Sequence, residues 1–178
     1  MNLLQLGCLL VEIFHMARPV RIEYPRAVYH VICRGNNRQA VFRDDVDRKS
    51  YLEKVSRYCQ GKKVDLLSYC LLTNHVHLLL ETSEGNLSKM MQAFQTSYRV
   101  YFNKRHGRSG HVFEQRYKAR VVDKDNYLLQ VSRYIHLNPV GAKSAERSQQ
   151  YRWSSYGSYL SGKGLIGLKR ERDGVGVL

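Results

Sequence analysis

His75 and His77 flank Val76 in the run His75 to Glu81 (HVHLLLE). Side chains alternate along a strand, so both imidazoles would project from one face and could converge on a metal ion. Val76 and Leu78 would then fill the opposite, core-facing side. Imidazoles set among leucines are costly to bury without partners, which adds weight to a ligand role. The plainer reading is two polar residues on an exposed sheet face. A second reactive group lies in the segment VSRYIHLNPV, where Tyr134 and Asn138 are four apart and share a helix face. That spacing offers an amide carbonyl oxygen one turn from a phenol. A tyrosine is usually packing, however, and an Asn before proline is usually a helix end. Tyr127, Tyr29 and Tyr101 are rivals, Tyr127 on roughly the same face as Tyr134, and residue types do not choose among them.

The elements that must position these groups are legible from periodicity. Ala27 to Arg34 (AVYHVICR), followed by Gly35-Asn36-Asn37, predicts a strand and a turn. Asp44 and Asp45 are candidate caps of a helix with Tyr51, Leu52, Val55, Tyr58 and Cys59 on its apolar face, closed by Gly61. Val64 to Leu72 and His75 to Glu81, separated by Thr73-Asn74, predict paired antiparallel strands, apolar on both faces as central strands are. A long amphipathic helix follows, with Asn86 as its cap and a core stripe from Leu87 through Met90, Met91, Phe94 and Tyr98 to Phe102. Val112 to Val122 predicts a further strand. A last helix runs from about Asp123 to Asp125 as far as about Asn138, because Pro139 disfavours helical geometry in the residue before it. The order predicts an α+β ferredoxin-like sandwich. In it a central four-stranded antiparallel sheet carries helices on one face, plus an added C-terminal helix bearing Tyr134 and Asn138.

The chain has 178 residues and a formal net charge of +14, from 29 Lys plus Arg against 15 Asp plus Glu. Ordinary apolar content at this length implies a single core and excludes wholesale disorder. The excess charge then belongs to a folded surface and makes a polyanion the default partner, nucleic acid ahead of an acidic membrane. Four cysteines without metal or disulfide spacing fit a reducing cytoplasm. No run of ~20 apolar residues is present to span a bilayer. The domain is expected over 16–140. Residues 1–15 are expected to be an optional or non-native extension, with Met16 as an alternative start, and 141–178 a tail that packs back through Arg152 to Tyr156 and is mobile beyond.

Within Arg99 to Arg120, seven Lys and Arg face a single acidic residue, Glu114, and are interleaved with Tyr101, Phe102, Phe113 and Tyr117. Cations for phosphates beside aromatic faces for unpaired bases suit a single-strand or hairpin binder, although Tyr101 and Phe102 are better placed in the core. Arg108, Arg116 and Lys118 are the candidate DNA contacts here, joined by Arg34, Asn36 and Arg38 after the first strand. His111 and His136 are expected to be structural. No Gly-rich phosphate loop, carboxylate-rich two-metal cluster or Ser/His/Asp set is evident. The phosphodiester is therefore expected in the partner and not in a nucleotide cofactor.

Taken together, ARPVRIEYP, YHVICRGN, TNHVHLLLE, SGHVFEQRYK and SRYIHLNPV resemble, in content and order, the IS200-like single-tyrosine transposases, and within them the REP-associated tyrosine transposases. The resemblance spans about Ala17 to Tyr159. Arg26 stands where the family usually has Gly, and Arg152 where Pro commonly precedes WSSY. The resemblance implies that His75 and His77 are the HUH metal ligands, that Asn138 is the third ligand and that Tyr134 is the nucleophile. It further implies a bacterial cytoplasmic enzyme that nicks and rejoins single-stranded or hairpin DNA with imperfect palindromes through a 5′-phosphotyrosine intermediate. One divalent ion, Mg²⁺ or Mn²⁺, would assist, and the enzyme would act as a monomer or homodimer. The alternative is a non-catalytic protein on the same fold that recognises palindromic repeats. A zinc-dependent hydrolase is disfavoured by the lack of a general-base carboxylate, since Glu81 lies further along the strand.

Overall fold

The computed structural model describes residues 22–123 and 127–161. Four strands form the sheet, β1 (Ala27–Arg34), β2 (Val64–Leu71), β3 (His75–Thr82) and β4 (Lys118–Val122), in the order β2-β3-β1-β4 with every neighbouring pair antiparallel. Among the described residues, four α-helices accompany them: α1 (Asp45–Gly61), α2 (Leu87–Arg105), α3 (Leu128–Gly141) and the short α4 (Tyr156–Ser161). This is the α+β ferredoxin-like arrangement that the order of elements predicts.

Alternation sorts the strand residues into two cores. Ala27, Tyr29, Val31 and Cys33 of β1 and Val76, Leu78 and Leu80 of β3 pack against the apolar stripes of α1 and α2, including Tyr51, Val55, Met91, Phe94 and Tyr98. Residues of the other face, Val28, Cys70, Leu72, Leu79 and Val122, form a smaller cluster with Ile135 of α3. The third helix therefore covers the sheet face opposite the other two, which is also the face of His75 and His77. A register shift between Leu66 and Ser68 of β2 lets both Leu66 and Tyr69 join the larger core, and it brings Cys70 opposite His77.

Side chains tie the helices to this frame. Asp44 caps α1, its carboxylate accepting from the Asp47 N–H at 3.0 Å. Asp47 is fully buried and joins the two helices through Arg105 at 2.5 Å and His106 at 2.9 Å. Burial of that carboxylate is tolerable because it is paired and hydrogen-bonded.

Several local expectations need correction. β2 is an edge strand; its second apolar face, with Cys70 and Leu72, is covered by α3 through Ile135, and its outer edge is taken by the tail. The Leu71 N–H donates to the Trp153 carbonyl at 2.9 Å, and the Ser155 N–H to that of Tyr69 at 3.0 Å. Arg152 to Tyr156 thus packs back on the sheet. The strand expected over Val112 to Val122 is confined to Lys118–Val122. Val112 and Phe113 are both buried, which breaks the alternation, and the segment is instead stitched to the end of β1 by Asn36 N–H to Val112 O at 3.0 Å and Glu114 N–H to Arg34 O at 2.9 Å. Asn86 makes no side-chain cap for α2 and donates instead to the Lys62 carbonyl, while Glu23 accepts from the Ser88 N–H at 2.8 Å.

Helix α3 begins later than expected, at Leu128, and continues through Pro139 to Gly141. The proline cannot donate to the Ile135 carbonyl and its ring crowds that carbonyl, a cost offset by burial of Pro139. Beyond it, Ala142 N–H reaches Asn138 O at 2.8 Å and Ser144 N–H reaches Pro139 O at 2.8 Å. Asp125, the expected extension over 1–15 and the part of the tail beyond 161 that the sequence predicts to be mobile lie outside the described residues. Among the described residues, no helix is long and apolar enough to cross a membrane.

Candidate active site

Strand β3 presents His75 and His77 on the face covered by α3, opposite Arg34 and Ile32 of β1 respectively. Their rings lie 5.1 Å apart between centroids. Helix α3 is anchored by the fully buried Ile135, which carries its neighbour Tyr134 over this face. The Tyr134 ring meets the His77 ring edge-on at 5.8 Å. It remains 53% exposed, so substrate can reach the phenol. One turn on, the Asn138 amide nitrogen donates to the Tyr134 carbonyl at 2.7 Å, leaving its own carbonyl oxygen as the acceptor end.

Geometry separates the rival tyrosines. Tyr29 is buried in the core on the far side of the sheet, and Tyr101 packs beside α1, its hydroxyl 3.4 Å from Asp47. Tyr127 sits at the N-terminal end of α3, about two turns from Tyr134 along the helix. Tyr134 is the one whose ring contacts both His77 and a further histidine, His30.

Residue-type reasoning missed His30. Its Nε2 lies 2.9 Å from His77 Nδ1, with the two rings stacked at 5.2 Å. The alternation of AVYHVICR already sets His30 on the face opposite Tyr29 and Val31. What the sequence does not disclose is the pairing of β1 with β3, which places Ile32 opposite His77 and so makes His30 its diagonal neighbour.

The electrostatics favour neutral rings. Burial pushes the His77 pKa down to about 3, helped by His30, His75 and Arg34 nearby. Burial also lowers His75, with Arg34 contributing, and lowers His30, with Arg120 contributing. A neutral imidazole is the form that binds metal. Tautomers can be read in part: the Asn74 amide oxygen, 2.7 Å from His75 Nδ1, can only accept, so His75 carries its proton there and keeps its Nε2 lone pair free. His77 Nε2 is buried and has no hydrogen-bond partner. An orphaned imidazole nitrogen beside a second free imidazole lone pair is the donor set a divalent cation would satisfy. Among the described residues, no group of three or more His, Cys, Asp and Glu is arranged to hold a metal.

The candidate DNA contacts gather at one end of this face. Arg34 ends β1 beside His75, and the loop bearing Asn36 and Arg38 is stitched to the segment 112–114. Arg108 reaches across the same end, donating to the Gln39 side-chain oxygen at 3.1 Å. Arg116 and Lys118 are exposed at and before the start of β4. The aromatic half of the expectation fails, because Phe113 and Tyr117 join Phe102 in the core, where they offer no face to a base. Arg105 is likewise committed to Asp44 and Asp47. His111 is exposed, whereas His136 is buried, with Nε2 2.7 Å from the Ser155 hydroxyl.

Comparison with known proteins places this geometry in context. No curated protein matches the chain. Among solved structures, it is similar to a REP-associated tyrosine transposase bound to a REP hairpin, with 12% identity and a TM-score of 0.71, covering 88% of this chain and 93% of that one. It is more distantly similar to a candidate transposase from Deinococcus radiodurans R1, with 17% identity, a TM-score of 0.47 and coverage of 67% and 95%. The tRNA(His) guanylyltransferase of Saccharomyces cerevisiae aligns at 14% identity and a TM-score of 0.46, over 72% of this chain and 63% of that one. At such identities the likeness is one of fold. The family described as Transposase IS200 like matches residues 23–138, well over half the chain. The chain belongs to the IS200-like transposase family.

Proposed function

We propose that this transposase cleaves and rejoins single-stranded or hairpin DNA through a covalent Tyr134 intermediate. The observation that carries this reading is the meeting of Tyr134, from α3, with His77, from β3, across elements far apart in the chain. The Tyr134 phenol oxygen attacks a backbone phosphorus, the new O–P bond forming as the bond to the 3′ oxygen breaks. The products are a 5′-phosphotyrosine and a free 3′-OH; the phenol proton can leave to solvent, and the departing 3′ oxygen take one up from it, because Tyr134 is half-exposed. Bond energy is retained in the adduct, so rejoining is the same step in reverse and needs no nucleotide cofactor.

His75, His77 and the Asn138 carbonyl oxygen would hold one divalent cation, with Mn²⁺ favoured by mixed nitrogen and oxygen ligands and Mg²⁺ the alternative. When bound there, such an ion polarises the scissile phosphate and stabilises charge building in the transition state. Arg34, Asn36, Arg38, Arg108, Arg116 and Lys118 would track the strand entering the site. The similar structure solved with a REP hairpin supports folded palindromic DNA as the substrate class.

The test is a labelled single strand or hairpin incubated with protein and run on a denaturing gel. Wild type is expected to retain label, and Tyr134→Phe to bind DNA with near-native affinity yet give no adduct. Label retained at the wild-type level by Tyr134→Phe would remove that residue from the role. DNA binding with no adduct in wild type, with Mn²⁺ present, would instead favour a non-catalytic binding protein.

A further inference from the structure

The geometry points to His30 as a positioning residue that accepts a hydrogen bond from His77 Nδ1 and thereby holds the His77 Nε2 lone pair toward a bound cation. This inference rests on the reading of His77 as a ligand. The two nitrogens are 2.9 Å apart, so between neutral rings one must donate and the other accept. Were His30 the donor, His77 would carry its proton on Nε2, a buried atom with no acceptor nearby. With His77 as donor, the same buried atom presents a lone pair, and His30 keeps its own proton on Nδ1.

The neighbouring ligand shows the same construction. His75 donates from Nδ1 to the Asn74 side-chain oxygen at 2.7 Å, which leaves its Nε2 as the lone-pair end. Each imidazole of the pair thus has its own neutral acceptor, Asn74 for one and His30 for the other. A ligating histidine commonly donates its second N–H to a fixed partner, which sets both tautomer and ring orientation. His30 is suited to hold its place because it stacks on His77, with 21° between the ring planes, and is braced by the edge of Tyr134 at 5.8 Å. It touches the phenol ring as well as the ligand, so it also sets the spacing between nucleophile and metal site.

Mn²⁺ titrations of the full chain, followed by the EPR signal of the free ion, provide the test for wild type, His77→Ala, His30→Phe and His30→Gln. His77→Ala should abolish specific binding. His30→Phe, which keeps a ring but no acceptor, should weaken it about 10- to 100-fold. His30→Gln, whose side-chain oxygen can reach the position of Nε2, should restore most of the affinity. In metal-free wild type, ¹⁵N NMR should show His77 protonated on Nδ1, a readout that needs no substitution and that general packing would not set. Undiminished Mn²⁺ binding by His30→Phe alongside loss in His77→Ala would overturn the role of His30 while leaving the ligand reading intact. A proton found on His77 Nε2 in wild type, or no recovery in His30→Gln, would overturn it equally. Wild-type binding by His77→Ala would remove the ligand reading and this inference with it.

Discussion

At the scale of residues, the three histidines of the site and His136 share one physical condition, burial that favours the neutral ring, and put it to different uses. His75 and His77 keep lone pairs free beside Tyr134, whereas His136 is committed to a hydrogen bond with Ser155 that pins the tail to α3. Burial lowers the His136 pKa to about 4. A depressed folded-state pKa contributes stability that is complete above the unfolded value near 6.5, and it is lost as pH falls from there through about 4. His30, His75 and His77 are shifted in the same direction and add to the same slope. Denaturation of His136→Gln, which keeps a polar group beside Ser155 but does not titrate, should therefore lose less stability between pH 6.5 and 4 than wild type does. Equal losses in the two proteins would show that His136 ionisation plays no part. In the site itself, chelation by EDTA should abolish adduct formation by wild type, and added Mn²⁺ should restore it.

At the scale of elements, α3 acts as the arm that carries the phenol to the strand histidines. Its hold on the sheet runs through Ile135, fully buried against residues such as Val28 and Leu79. Ile135→Ala should cost about 2–5 kcal/mol in denaturant unfolding, the range for a large aliphatic side chain removed from a core. It should also lower the adduct rate under conditions where the protein is still folded, since Tyr134 is the adjacent residue. A rate unchanged in the folded variant would mean that α3 is held by other contacts. On the far face, Asp47 links the start of α1 to the end of α2. Asp47→Ala should destabilise the fold by ~3 kcal/mol, the low end for a broken buried pair, because the Arg105 side chain left behind is 30% exposed. That loss should leave the adduct chemistry of the surviving folded molecules unaffected.

At the scale of the whole molecule, the charge of +14 is unevenly spent. Arg105 stabilises the fold and Arg152 pairs with Asp45, whereas Arg34, Arg38 and Arg116 remain exposed, and Arg108 half-buried, around one end of the face that holds the histidines. Single-strand affinity should fall linearly on a logarithmic salt scale, and each phosphate contact removed should reduce the slope by about 0.7. Filter binding or fluorescence anisotropy across a salt series would show this for Arg108→Ala and Arg116→Ala, with Arg57→Ala on α1 as a control that leaves the slope unchanged. A slope equally reduced by the control would mean that net charge, and not this end of the sheet, governs binding.

Much of the protein was legible without coordinates. Period-two alternation in AVYHVICR and HVHLLLE and three-and-four spacing from Leu87 to Phe102 determine the strands, the helix and the inward faces, because burial of apolar area dominates those choices. The spacing of His75 with His77 and of Tyr134 with Asn138 determined which groups share a face within each element. Local patterns reach only as far as one element, however. The pairing of β1 with β3 brought His30 to His77, the register shift in β2 set Cys70 opposite His77, and the packing of Ile135 laid the Tyr134 ring against His77 and His30. Pro139 stayed inside its helix because its ring is buried in the last turn, and Phe113 and Tyr117 left the surface because the core had room for them. These are contacts between residues distant in the chain. Their energies depend on what lies opposite, so only the folded molecule decides them.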